Sequence, residues 1–121
     1  MSINENKAIY LQIADGIMDS IQQHELSPGD RLMSVRDYAA NLGVNPNTVM
    51  RTFTWLQNQD MISMKRGIGY FVTDNAPQII TEMRRSQFFD NEAKYFMQRL
   101  KLFGITPEAL KKLYEEYLKN E

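Results

Sequence analysis

Apolar residues recur at helical spacing through Tyr10, Ile13, Ala14, Ile17 and Ile21, one stripe that predicts a helix from Ala8 to His24. Leu26-Ser27-Pro28-Gly29-Asp30 ends it, because Pro28 and Gly29 interrupt a helical pattern; Asp30 reads as a turn residue. A second, short helix starts at Ser34, whose hydroxyl can cap a backbone N–H while Asp37 completes a capping-box spacing. Val35, Tyr38, Ala39 and Leu42 supply its inward face and Gly43 its left-handed stop. After the brief turn Gly43-Val44, Asn45 is placed as an N-cap. Pro46 falls at the first helical position, where its missing N–H costs nothing. In this third helix Val49, Thr52, Phe53 and Leu56 share one face, while Asn47, Thr48, Met50, Arg51 and Thr54 share the other. A short helix, a tight glycine turn and a capped second helix form a helix-turn-helix.

Two short strands, Met61 to Lys65 and Tyr70 to Thr73, flank Arg66-Gly67-Ile68-Gly69, whose glycines suit a tight loop. A hairpin directly after a helix-turn-helix is a wing. The predicted fold is therefore mainly α with a small β-hairpin (α+β): a winged helix-turn-helix over residues 1–75, then a helical dimerisation segment over 76–121. The break falls at Thr73-Asp74-Asn75-Ala76-Pro77. Beyond it Gln78 to Leu102 reads as one helix of about 25 residues, roughly 37 Å long. Phe89, Ala93, Phe96, Leu100 and Phe103 make its stripe. Phe103-Gly104-Ile105 breaks it, and Thr106-Pro107-Glu108 starts a last helix with Leu110, Leu113, Tyr114, Tyr117 and Leu118 on one face. Two helices cannot enclose a core alone, so a partner chain is expected, with Phe89, Phe96, Leu100, Leu110, Leu113 and Tyr117 at the seam of a homodimer.

Composition removes whole classes of chemistry. The 121 residues hold no cysteine and one histidine, which excludes thiolate metal sites, disulfides and His-rich metal centres. His24 by itself reads as a surface or cap residue. No nucleophile–base pair or phosphate loop is present, and Gly67-Ile68-Gly69 lacks the third glycine and following helix of a dinucleotide fingerprint. Neither an enzyme, a cofactor nor a metal is expected. The start of the chain is polar and no apolar run reaches membrane-spanning length, which predicts a cytoplasmic protein with no membrane partner.

Net charge is −1, yet its distribution is uneven. Residues 31–73 carry Arg31, Arg36, Arg51, Lys65 and Arg66 against Asp37 and Asp60, whereas residues 1–30 carry Lys7 against Glu5, Asp15, Asp19, Glu25 and Asp30. The basic excess thus coincides with the helix-turn-helix and wing, the faces that would approach a polyanion. A recognition helix meets the major groove with its N-terminal residues. Here Asn47 and Thr48 can bond bases or phosphates, and Arg51 can reach guanine or phosphate. Arg36 opposes its own helix dipole, which favours a phosphate ligand as its reason for being there. Lys65 and Arg66 sit at the wing tip. For each of these cations a solvated surface charge is the plainer alternative, and Asn45 reads first as a cap.

The stretch Leu26 to Val72, with "PGDRL", "SVRDYAANLGVNPNTV" and "GIGYFV", closely resembles the winged-helix domain of GntR-type bacterial transcription regulators. The run Val44 to Val49 and the short helical C-terminus resemble the YtrA-type branch. That resemblance implies a homodimer on an inverted-repeat DNA operator, commonly a repressor beside transporter genes. It also implies DNA contacts at Arg36, Asn45, Asn47, Thr48, Arg51, Arg66 and Gly67. The sequence departs from the pattern where Met33 replaces a usual Pro, and Asp60 and Tyr70 a usual Gly and Thr. Met50 stands where relatives outside the branch carry Arg, and offers only apolar contact, for example to a thymine methyl. A protein-interaction adaptor on the same scaffold is the other reading, with the tail aromatics as its surface. Tyr10, Trp55 and those aromatics can also line an effector pocket, although ordinary packing explains them equally.

Overall fold

The computed structural model describes residues 7–121; the polar start of the chain, residues 1–6, lies outside the described residues. In chain order the elements are α1 (Ile9–Gln22), α2 (Val35–Leu42), α3 (Pro46–Asn58), β1 (Ile62–Lys65), β2 (Gly69–Val72) and α4 (Ala76–Gln87). A π-helical segment (Phe88–Ala93), α5 (Lys94–Leu102) and α6 (Pro107–Lys119) follow. The chain divides into two compact units, residues up to Met83 and Arg84–Glu121.

The first unit is built on the stripes expected from periodicity except at Leu42, which was expected inward but is 42% exposed at the last position of α2. Ile13, Ala14, Ile17 and Ile21 of α1 and Val49, Phe53 and Leu56 of α3 are all buried, together with Ala39 of α2. Phe53 is the centre: Tyr38 meets its ring edge-on at 5.7 Å and Tyr70 at 4.9 Å. Burial pushes the Tyr38 hydroxyl above its ordinary pKa. Ala76 and Ile80 of α4 complete the same core.

Helix ends follow the chemistry of their residues. Ser34 Oγ accepts from the Asp37 N–H at 3.1 Å, and Asn45 Oδ1 from the Asn47 N–H at 2.8 Å. Gly43 ends α2 at φ 67°. Two helices end with a side chain where glycine is usual. α1 stops at Gln22, not at His24, because His24 takes φ 63° and the Glu25 N–H bonds back to the Ser20 carbonyl at 2.9 Å. Asp60 does the same after α3, with φ 60° and a Met61 N–H to Leu56 carbonyl bond of 3.0 Å. That geometry gives the physical reason a glycine would suit position 60.

The wing is an antiparallel hairpin in which Ile62 pairs with Val72 and Lys65 with Gly69. Gly69 therefore belongs to the second strand, and the turn is Arg66-Gly67-Ile68. The segment read as a mere turn also contributes: Gly29 and Leu32 donate to the carbonyls of Val72 and Tyr70, each at 2.8 Å, and Arg31 bridges Phe71. β2 is thus bonded along both edges. Asp30 serves this corner as expected, its Oδ2 accepting from the Ser27 N–H at 2.8 Å.

The helix expected from Gln78 begins earlier, at Ala76, because Pro77 sits in the first turn, where no N–H is required of it. It is also not uniform. Phe88–Ala93 winds as a π-helix, with helical backbone at Gln87 and Lys94 on either side. In the second unit Thr106 Oγ1 caps α6 by accepting from the Ala109 N–H at 3.2 Å. Ala93 is the one buried apolar residue of this unit, at 8% exposure. Among the described residues no helix is long and apolar enough to cross a membrane.

Candidate nucleic-acid interface

Because Val49, Thr52, Phe53 and Leu56 turn inward, the other face of α3 turns outward. Asn47, Met50, Arg51 and Thr54 are exposed and Thr48 is half-buried. Thr54 is less available than its exposure implies, since its hydroxyl donates to the Met50 carbonyl at 3.0 Å. Asn45 spends its side-chain oxygen on the cap. Arg36 lies exposed in the first turn of α2.

Arg51 is not a freely solvated charge. Its guanidinium carbon stands 4.0 Å from the centroid of the Tyr10 ring. Beside it, buried Thr52 donates to the Tyr10 carbonyl at 2.7 Å, fastening the start of α1 to α3. Asn47, Thr48 and Arg51 thereby share one hollow, of about 360 Å³, with Ala8, Ile9 and Tyr10.

On the wing, Lys65 lies over the Phe71 ring at 4.4 Å. Arg66 and Gly67 form the exposed tip, Gly67 at φ 78°. Sequence reasoning counted Arg31 as charge but missed its placement. The pairing of Arg31 and Ser63 with Phe71 puts Arg31 on the Lys65 face of the sheet. There it lies so close to Gly69 that a Cβ at 69 would come within 2.9 Å of Arg31 Nε. Recognising 29–32 as a paired edge was the signal needed. Among the described residues none of Arg31, Arg36, Arg51, Lys65 or Arg66 is paired with a carboxylate, whereas Lys7 is paired with Asp15. No group of acidic or His side chains among the described residues could hold a metal ion.

In the second unit Phe89, Phe96, Leu110 and Leu113 line one apolar groove of about 610 Å³, joined by Phe88 and Met97, which the predicted stripe omitted. Leu100 lines a second hollow with Phe96 and Phe103, and Tyr117 is 65% exposed on α6.

A helix-turn-helix made by α2 and α3, the outward polar face of α3 and the basic wing that follows it define a winged-helix DNA-binding protein. Residues 9–72 match the family of bacterial regulatory proteins called gntR. The chain belongs to that family of DNA-binding transcription regulators, which are not enzymes. It is 36% identical over 105 residues to the HTH-type transcriptional regulator YhcF of Bacillus subtilis, covering 87% of this chain and 85% of that one. The HTH-type transcriptional repressor YtrA of the same organism is 34% identical over 74 residues, 61% of this chain and 57% of that one. The crystal structure of a GntR-family regulator from Bacteroides thetaiotaomicron superposes with a TM-score of 0.82 at 42% identity, covering 93% of this chain and 98% of that one.

Proposed function

We propose that this regulator is a homodimeric repressor that occupies an inverted-repeat operator and blocks promoter access. The observation that carries the reading is the contrast between an outward polar α3 and a C-terminal unit whose Phe88, Phe89, Phe96, Leu113 and Tyr117 are 48–65% exposed. Side chains of this kind gain about 25 cal/mol per Å² when covered, and a second copy supplies the matching surface. Two copies then present two α3 helices, and two-fold symmetry in the protein is met by two-fold symmetry in the duplex.

In this reading Asn47, Thr48 and Arg51 contact bases or phosphates, with Asn45 assisting from the cap. Met50 offers an apolar contact, for example to a thymine methyl. Arg36 and Arg31, Lys65, Arg66 and Gly67 of the wing track the backbone. The simplest mechanism is steric, and the family resemblance directs the search for targets to transporter genes.

Selecting bound fragments from random duplexes is the test. Two inverted half-sites about one helical turn apart, roughly 34–36 Å, are expected. Arg51→Ala and Arg36→Ala should each weaken binding to the recovered duplex in gel-shift titrations. A single unrepeated half-site bound by a monomer would overturn the dimeric reading.

A further inference from the structure

Arg51 has an unusual support for a residue at a polyanion-facing surface. An arginine held in place by a carboxylate has its charge cancelled and its N–H donors claimed. Arg51 rests on an aromatic ring 4.0 Å away and has no carboxylate partner among the described residues. A ring face attracts the guanidinium through its quadrupole, leaving the full positive charge and the donors unclaimed. The ring itself is fixed. Tyr10 is half-buried, and its backbone is fastened to α3 by the 2.7 Å bond from Thr52, the residue next to Arg51. Thr52 is wholly buried, so this fastening is shielded from water.

We propose that Tyr10 is a positioning residue for DNA binding: it holds the Arg51 guanidinium at the mouth of the hollow shared with Asn47 and Thr48, charged and ready to meet the duplex. The proposal rests on reading Arg51 as a DNA contact. It assigns the start of α1, in an acidic stretch of sequence, a part in recognition without requiring it to touch DNA. Ordering a long side chain in advance removes a cost otherwise met on binding, which sets the expected effect at about three- to tenfold in affinity.

The test uses the full chain and a duplex recovered by selection, with affinity measured across a salt series. Tyr10→Phe keeps the ring and should bind like wild type. Tyr10→Leu keeps apolar packing but no ring, and should lose about three- to tenfold with its salt slope unchanged, because Arg51 still carries its charge. Arg51→Ala should bind weakly, and with a slope reduced by about one if its contact is a phosphate. In the Arg51→Ala background, Tyr10→Leu should cost almost nothing more. Thermal unfolding of each variant separates lost folding from lost positioning. Equal losses for Tyr10→Phe and Tyr10→Leu would make the hydroxyl itself the contact and overturn the proposal. So would additive losses in the double variant, or a normal affinity for Tyr10→Leu beside a weak Arg51→Ala. Wild-type binding by Arg51→Ala would instead remove the contact on which the proposal stands.

Discussion

The two units of this chain spend their apolar residues in opposite ways. In the first, Phe53, Leu56, Val49, Met61 and Ile80 are fully buried, and the surface left over, with Met64 and Ile68 exposed singly on the wing, carries an excess of cations around α3 and the wing. In the second, Phe89, Phe96, Leu113 and Tyr117 remain about half exposed or more, although they belong to stripes as regular as those of a core helix. Helical periodicity therefore identifies a face that must be covered, but not the molecule that covers it. Exposed apolar faces this extensive mark interaction surfaces in ordinary proteins.

Phe53→Ala should cost about 3–5 kcal/mol in denaturant unfolding, since a buried ring edge-packed by two tyrosines leaves a cavity that neighbours cannot fill. Phe96→Asp combined with Leu113→Asp should leave the first unit folded while converting the protein to monomers in light scattering. Operator affinity should then fall on the order of 10²-fold through lost bivalency. A folded dimer surviving both changes would show that the seam lies elsewhere. The smallest effects sharpen the picture of the first unit. Asp60→Gly and His24→Gly should each raise stability by about 0.5–1 kcal/mol, because both residues hold left-handed backbone that glycine adopts without strain. Gly43→Ala, at φ 67°, should lower stability by about 1 kcal/mol in the same assay.

What the sequence discloses is what neighbouring residues decide among themselves. Ser34, Gly43, Asn45 and Pro46 set the ends of α2 and α3 through bonds spanning a few residues, so those ends and the buried face of α3 were readable. What was hidden depends on distant segments. The pairing of Gly29 and Leu32 with β2 joins parts of the chain far apart in sequence, and nothing local announces it. The Arg51–Tyr10 contact is hidden for the same reason: Tyr10 fits the apolar stripe of α1, and its second role exists only once α3 is laid across it. The π-helical turn at Phe88–Ala93 has a different cause. It is compatible with the same residues as an α-helix, so periodicity alone cannot separate them.

The double attachment of β2 has one more consequence. A strand bonded on both sides has no free ladder groups to offer a neighbouring molecule. The border of the hairpin is β1, only four residues long and ending in Lys65. Short, cationic borders resist growth of a sheet from one molecule into the next, so the wing is poorly suited to sticking copies together.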